Sequence, residues 1–310
     1  MEGPFAPFTL TKVLEDVSKF VDGDWAASLT LIQHNVPWKL VCEKAKDNCN
    51  LLLCCQREVK DTDWSIDAKW RMSVLRTNGE NHTVFGSGRF NRQTSSLGAN
   101  NLMGWEDLLS KYVVKDEVIV DAEVWILEMT GIEKPNKLMN FSDEKAKENS
   151  DVVLLVENEK FYLTKQVLAM QSPYFHSLFF GSIGNNESED SGMMGIKLEG
   201  VDAGHFQTFL EVIHHEPAIN DDTLEQILQV SKKYRAKNIT RQCEEFLIFR
   251  SCLTIKKKLQ LVASFNLANL KRFLFGNFKS TMDVRAALDP DMEDSGILKA
   301  LLLKSFELND

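Results

Sequence analysis

The chain has 310 residues, 44% of them apolar and 26% charged, with a net charge of −9. That composition excludes a disordered or fibrous protein, and the length allows roughly two or three domains. Residues 1–131 carry 14 Lys+Arg against 19 Asp+Glu, residues 151–247 carry 8 against 15, and residues 248–310 carry 10 against 7. The two acidic stretches would repel a phosphate backbone, so nucleic acid is not an expected partner. No apolar run approaches the ~20 residues that span a bilayer. The opening MEGPFAPFTL lacks the basic start and apolar core of a signal peptide, so no membrane partner is expected either. Cys42, Cys49, Cys54, Cys55, Cys243 and Cys252 form no disulfide framework and indicate a reducing compartment, cytoplasmic or nuclear.

Taken in chain order, the region up to residue 131 reads as β-structure. Between Trp64 and Val74 the alternation is complete: Trp64, Ile66, Ala68, Trp70, Met72 and Val74 face one way, and Ser65, Asp67, Lys69, Arg71 and Ser73 the other. This is the period of a half-buried antiparallel strand. Asn78-Gly79 follows as a hairpin turn, since both residues tolerate the positive φ of a type I′ turn. Val118 to Ile126 alternates again, and Trp38 to Cys42 and Leu51 to Cys55 are further apolar runs. Short strands between turn signals predict a β-sandwich.

Residues 132–150 are polar and mark a change of character, so a linker is expected there. Val152 to Val156 is a near-continuous apolar run, as in a strand buried on both faces. A polar tip, Glu157 to Lys160, leads into a second short strand, Phe161 to Leu163. Thr164 is placed to cap a helix, and Ser172-Pro173 ends that helix and starts another. The loop from Gly181 to Gly195 has no apolar residue between Gly184 and Gly192 and is expected to be mobile. Phe206, Phe209, Leu210 and Ile213 recur at helical spacing behind the cap Asp202, and Asp222 with Glu225 resembles a capping box. LQVSKKYRAKNI (228–239) and LQLVASFNLANL (259–270) align at an interval of 31 residues, with Tyr234 over Phe265 and Asn238 over Asn269. A repeated helix–turn–helix unit is expected. Lys256-Lys257-Lys258 reads as the solvated side of a helix.

Two resemblances rest on these residues. HNVPWKL (34–40), DWSIDAKWRMSVL (63–75), GWEDLL (104–109) and YVVKDEVIVDAEVWI (112–126), in that order, resemble a MATH (TRAF-like) domain over residues 8–128. Ser150-Asp151-Val152, Phe161, Lys165, Leu168-Ala169, Ser172-Pro173 and Phe175 resemble the start of a BTB (POZ) domain, with Thr164 where histidine is usual. The tail resembles a truncated BACK-type region or the helical extension that often follows BTB domains. The whole is similar to the speckle-type POZ-like adaptors. The resemblance implies an α+β multidomain chain. Its parts would be an N-terminal antiparallel β-sandwich (1–131), a linker (132–150), a central α/β BTB/POZ domain (151–247) and a short C-terminal helical extension (248–310).

The function implied is that of a substrate-recognition adaptor of a cullin-3 RING ubiquitin ligase. The MATH part would bind an unidentified substrate protein, and the BTB part would form a homodimer and dock the cullin-3 scaffold. In the MATH family an extended peptide lies in a shallow groove, which corresponds here to Gly88–Leu102, with Arg89, Phe90, Asn91, Ser95 and Leu97 as lining. The aromatic pair usual before the GWEDLL-like piece is replaced by Thr94 to Asn101, so either the peptide contacts are more polar or the stretch is a plain loop. The BTB resemblance places Asp151 and Lys165 at the dimer interface, although both also suit plain surface positions, and the helix faces around Val167, Leu168 and Phe175, with Leu138 and Phe141 from the preceding segment, are expected to bury that interface. Cullin docking falls on Phe179, Phe180 and Ile183, and Ile183-Gly184-Asn185 lacks the glutamate of the family's apolar-x-Glu motif. Only one of the two phenylalanines can face inward on a helix, and Phe180 is expected outside.

The residues offer little chemistry. His34, His82, His176, His205, His214 and His215 stand at no metal spacing, and no Cys–His pairing is apparent. Gly86-Ser87-Gly88 and Gly181-Ser182-Ile183-Gly184 are not phosphate-loop fingerprints. No catalytic residue, metal or cofactor is expected. The rival readings are a dimeric peptide-binding scaffold without ligase recruitment and a MATH-linked cysteine hydrolase.

Overall fold

The computed structural model describes residues 5–57, 63–76, 80–132, 137–181, 194–288, 292 and 294–308. The Asn78-Gly79 turn, the interior of the Gly181–Gly195 loop and Ile183 lie outside the described residues. The chain divides into two compact units. One comprises Met1–Lys134, Cys252–Ala263 and Lys271–Asp310, and the other Pro135–Ser251 and Ser264–Leu270.

The first unit is built on two antiparallel sheets. One runs β1 (Phe8–Leu14), β9 (Val118–Thr130), β6 (Ser65–Leu75), β7 (His82–Asn91). The other runs β2 (Trp25–Ala27), β4 (Val36–Ala45), β5 (Asn48–Cys55), β8 (Ser96–Gly104), with β3 (Leu31–Gln33) also on β4. The apolar side of the β6 alternation holds, for all six residues from Trp64 to Val74 that were read as facing one way are buried, while on the other side Ser73 is buried as well. They meet Leu40, Leu51 and Leu53 of the other sheet in one core, where Phe90 sits edge-on to Trp38 with ring centres 5.1 Å apart. Trp105 opens α1 (Trp105–Lys111) and is buried beneath the sandwich, stacked on Phe20.

On the other face of β9, Ile119 is fully buried, and on β6 Ser73, which pairs with Asp121, is nearly so. Strand faces that point to solvent do not bury such residues, so this face is covered. The tail contributes to that unit. Cys252 and Leu253 pack on the sandwich core. Lys256 of α8 (Ile255–Phe265) and Asp283 of α10 (Thr281–Ala287) are close enough to act on the carboxyls of Asp121 and Glu117. The helix α11 (Ser295–Glu307) completes the tail, its N-terminus capped by Asp294.

In the second unit β10 (Val152–Val156) is the centre of a three-stranded sheet. It pairs antiparallel with β11 (Glu159–Leu163) and parallel with β12 (Met194–Leu198). Its apolar run is explained by this central place, although only Val152, Leu154 and Val156 are fully buried. A short helix, α2 (Glu144–Glu148), precedes it. After β11 come α3 (Lys165–Gln171) and α4 (Pro173–Phe180), joined at Ser172, whose hydroxyl accepts from the Phe175 N–H and donates to the Tyr234 carbonyl. Tyr234 lies in the core among Phe175, Phe206 and Phe209, with the Phe175 ring centre 4.8 Å away.

Asp202 caps α5 (Ala203–Ile213) as expected, accepting the His205 N–H at 2.9 Å. Two cap expectations fail. Thr164 makes no cap bond, and its hydroxyl donates instead to the Asn149 carbonyl at 3.3 Å. The carboxylate of Asp151 takes the Lys165 N–H at 2.7 Å in its place. The proposed capping box at Asp222 is displaced as well, because α6 (Leu224–Lys233) starts from Thr223 while the Asn220 side chain accepts from the N–H groups of Asp222 and Thr223.

The internal echo has a geometric counterpart. α6 starts at Leu224 and α8 at Ile255, while α7 (Lys237–Phe249) starts at Lys237 and α9 (Ala268–Asn277) at Ala268, so both pairs of starts are 31 residues apart. The turns share a left-handed residue at matching places, Arg235 (φ 57) and Asn266 (φ 55). Buried Glu244 of α7 accepts from the N–H groups of Asn269 (2.6 Å) and Leu270 (2.9 Å), so a carboxylate closes the start of α9.

Candidate functional site

β7 ends one sheet of the sandwich and β8 ends the other, so each has an edge without a strand partner among the described residues. The two are joined by a tight turn in which the Asn91 side chain accepts from the N–H groups of Gln93 and Thr94, both at 2.9 Å. At the far end the His82 ring reaches the Leu102 carbonyl at 3.0 Å. Between these ties Gly86 and Gly88 face inward. An added Cβ would stand 2.5 Å from the Trp70 Nε1 at Gly86 and 2.7 Å from a Leu97 methyl at Gly88. The missing side chains let Trp70 and Leu97 close over the strand, a use of glycine inside strands where something approaches closely.

The residues assigned to the groove divide. Arg89 is exposed and holds Asp67 of β6 through two 2.6 Å bonds, which keep the Asp67 carboxyl below its ordinary range. Ser95 is exposed at the turn, and Leu97 is half-buried against the core. Asn91 spends its side chain on the turn. Phe90 does not line a surface: it is fully buried between Trp38 and Trp70, because the even-numbered residues of β7 point inward. Exposed Phe85 of the outward set was not singled out from sequence. Trp70 was read only as a core residue and Gly86 and Gly88 only as an unmatched phosphate-loop pattern or a groove boundary, although glycines two apart in a strand were the available signal for this close packing.

In the second unit, three of the residues assigned to a dimer face belong to the protomer core. Leu168 and Phe175 are fully buried, and Phe141 is covered and packs on His214 with ring centres 5.1 Å apart. Leu138 is 48% exposed, Val167 and Lys165 are half-buried, and Asp151 is exposed. The Asp151 carboxylate meets the Lys165 backbone, so the pair is a helix cap. Residues 137–141 are strapped to α5 by two buried polar side chains that the sequence reading missed. Glu211 accepts the Leu138 N–H at 2.9 Å, and Gln207 donates to the Met139 carbonyl at 2.7 Å and to Glu211 at 2.8 Å. Their i, i+4 spacing on the α5 face was the readable sign. At the end of α4, Phe179 is buried and Phe180 is 54% exposed, as the helical offset requires.

Three of the thiols sit in environments that hold them protonated. The Cys42 Sγ lies 3.5 Å from the Cys49 Sγ, and the hydrogen bond to Cys49, followed by burial, pushes the Cys42 thiol up. Burial raises Cys55 to about 11 and Cys243 to about 12. Thiolates, not thiols, are the nucleophiles. Among the described residues, no group of three or more His, Cys, Asp or Glu side chains is placed to hold a metal ion.

Comparison with known proteins bears on both units. The MATH domain family model matches residues 14–126 and the BTB/POZ domain model residues 140–251. BTB and MATH domain-containing protein 15 of Caenorhabditis elegans is 32% identical over 265 residues, covering 85% of this chain and 94% of that protein. BTB and MATH domain-containing protein 45 of the same organism is 26% identical over 281 residues, covering 90% of this chain and 58% of that one. Among solved structures, the BTB (Tramtrack and Bric a brac) domain of human Gigaxonin is 20% identical, with a TM-score of 0.27 over 36% of this chain and 98% of that one. With both domains matched and a relative aligned over nearly its whole length, the chain belongs to the BTB and MATH domain-containing proteins, an architecture that supports a protein-binding adaptor.

Proposed function

We propose that this chain is a non-catalytic substrate-recognition adaptor of a cullin-3 RING ubiquitin ligase, acting in the cytoplasm or nucleus. The observation that carries the reading is the union of two binding surfaces in one chain. Among the described residues the sandwich has unpaired edges at β7 and β8, and a BTB domain ends α4 in the exposed Phe180. A substrate peptide adds to the β7 edge by main-chain hydrogen bonds, because a strand edge presents N–H and C=O groups already in register. Trp70 and Leu97 lie beneath it, and Arg89, Ser95 and Ser96 supply a polar rim. The homodimer forms through the BTB domain, with Leu138 and Val167 on the face that remains available. The protonated thiols of Cys42, Cys55 and Cys243 speak against a hydrolase built on them. The free cysteines accord with a reducing compartment.

Phe180 anchors the cullin beside the chain that continues to Ile183. Replacing a partly exposed aromatic anchor costs roughly 1–3 kcal/mol of binding. The test is co-purification of cullin-3 with the full chain and with Phe180→Ala, with folding followed by circular dichroism. Capture by the parent and a loss of roughly tenfold or more in the variant is expected. A folded parent that retains no cullin-3 would leave the second reading, a dimeric peptide-binding scaffold, which the missing glutamate at Asn185 favours.

A further inference from the structure

A cavity of about 230 Å³ opens in the second unit where α6 turns into α7 and the end of α8 meets them. Leu228 and Phe265 supply apolar wall, and Lys232, Arg235 and Lys237 bring three cations, with no Asp or Glu in the lining among the described residues. This concentration stands out against the surrounding sequence. Residues 151–247 hold 8 Lys+Arg against 15 Asp+Glu, and four of those cations, Lys232, Lys233, Arg235 and Lys237, fall within six residues. Lys233 is occupied elsewhere, on the Gly200 carbonyl at 2.8 Å. Lys232 is held at the cavity by the Ser264 carbonyl at 2.9 Å and lies 5.7 Å from the centre of the Phe265 ring.

Two further features point the same way. Ser231 lines the cavity and is buried, yet its hydroxyl has no hydrogen-bond partner among the described residues. A serine inside a helix ordinarily satisfies that hydroxyl on the carbonyl four residues back, and a buried one left over is costly. The thirteen-residue helix α7 also begins here. Ala236 at its N-cap offers no side-chain acceptor, so the positive end of the helix is uncompensated by its own cap. The cavity thus gathers donors and positive charge and provides little to accept them.

We propose that this cavity binds a phosphoryl group. Three cations, a free hydroxyl and a helix start exceed what one carboxylate can use. They match a group that carries a charge of about −1.5 to −2 and three acceptor oxygens. The apolar wall of Leu228 and Phe265 receives whatever carries the phosphoryl group. The carrier is either a phosphorylated side chain in an extended partner segment or a free phosphate compound.

The full chain would be titrated with inorganic phosphate by calorimetry. Separately, a fluorescent phosphoserine peptide and its unphosphorylated twin would be followed by anisotropy, with phosphate as competitor. Arg235 has a left-handed backbone, so Arg235→Asn is the substitution that leaves the turn unstrained. Together with Lys237→Gln it should weaken binding roughly tenfold or more, and Ser231→Ala should weaken it by a smaller factor. Lys69→Gln, on the sandwich, should change nothing. Arg235, Lys237 and Lys69 are all exposed, and folding is checked by circular dichroism. Lys237→Gln alone decides the matter if the double variant is unstable. Tighter binding of the phosphopeptide than of phosphate assigns a phosphorylated partner segment, and equal binding assigns a free phosphate compound. Absence of binding by both probes, or variants that bind like the parent, would overturn the proposal.

Discussion

At the scale of single residues, Gly86 and Asp121 carry the sharpest consequences. A methyl group at Gly86 would meet the Trp70 indole at 2.5 Å, and that ring is already packed edge-on to Phe90. Gly86→Ala should therefore lower stability by about 1–3 kcal/mol through overpacking, read as a drop in the urea midpoint. Asp121 lies on the outer face of β9, where burial raises its carboxyl to about 6, opposed by Arg71, Ser73 and Lys256 and assisted by Glu123. A raised folded-state pKa favours the protonated form. Below the ordinary carboxylate range both folded and unfolded chains are protonated and nothing is lost. As pH rises through about 6, the fold must hold a half-buried charge that the unfolded chain keeps in water. Stability should fall between about pH 4 and 6 and stay lower above. Asp121→Asn should remove that fall and stabilise the chain by about 2 kcal/mol at neutral pH, with no difference in acid. Urea unfolding of both chains across that range checks it. An unchanged pH profile in the variant would show that Asp121 is not the responsible group.

At the scale of elements, the join between the helical hairpins rests on one buried carboxylate. Glu244 closes the start of α9 through the N–H groups of Asn269 and Leu270 and the Asn269 amide at 2.8 Å. Glu244→Ala leaves those donors unmet and should cost about 2–4 kcal/mol, while Glu244→Gln, which keeps an acceptor, should cost less. Thermal unfolding of the two variants separates them. Elements whose pattern is local were legible in the sequence. β6 shows its period in eleven consecutive residues, α5 shows its apolar face behind Asp202, and the hairpin echo shows in spacing alone. What stayed hidden depends on partners distant in sequence. Asp151 caps α3 from across a β-hairpin, Glu244 caps a helix beginning 24 residues later, and Gln207 with Glu211 straps a segment lying about 70 residues earlier. Among the candidate site residues, Phe90, Phe175, Leu168 and Phe141 were read as surface because motif position names a residue and not the side it faces. β7 conceals its inner face, since two of the residues there are glycines with no hydrophobicity to display.

At the scale of the whole molecule, dimerisation is the first expectation. Leu138 is 48% exposed and Met170 of α3 71% exposed, and exposed apolar side chains on a BTB domain accord with a partner surface. Sedimentation of the full chain at micromolar concentration should give a dimer, with Leu138→Glu and Met170→Glu together shifting it toward monomer. A monomeric parent would remove this expectation and weaken the adaptor reading. The division of the chain also bears on how the protein is made. The first unit is not continuous: it begins with Met1–Lys134 and takes in Lys271–Asp310 only after the second unit has been threaded between them. A ribosome releases the sandwich strands long before the last helices, so the covered face around Ile119 and Asp121 must wait bare during synthesis. The second unit, apart from Ser264–Leu270, can close first. A chain stopped at residue 251 should thus show a sandwich more open to protease than the full-length protein, and the nascent sandwich is the stage at which a chaperone has most to hold.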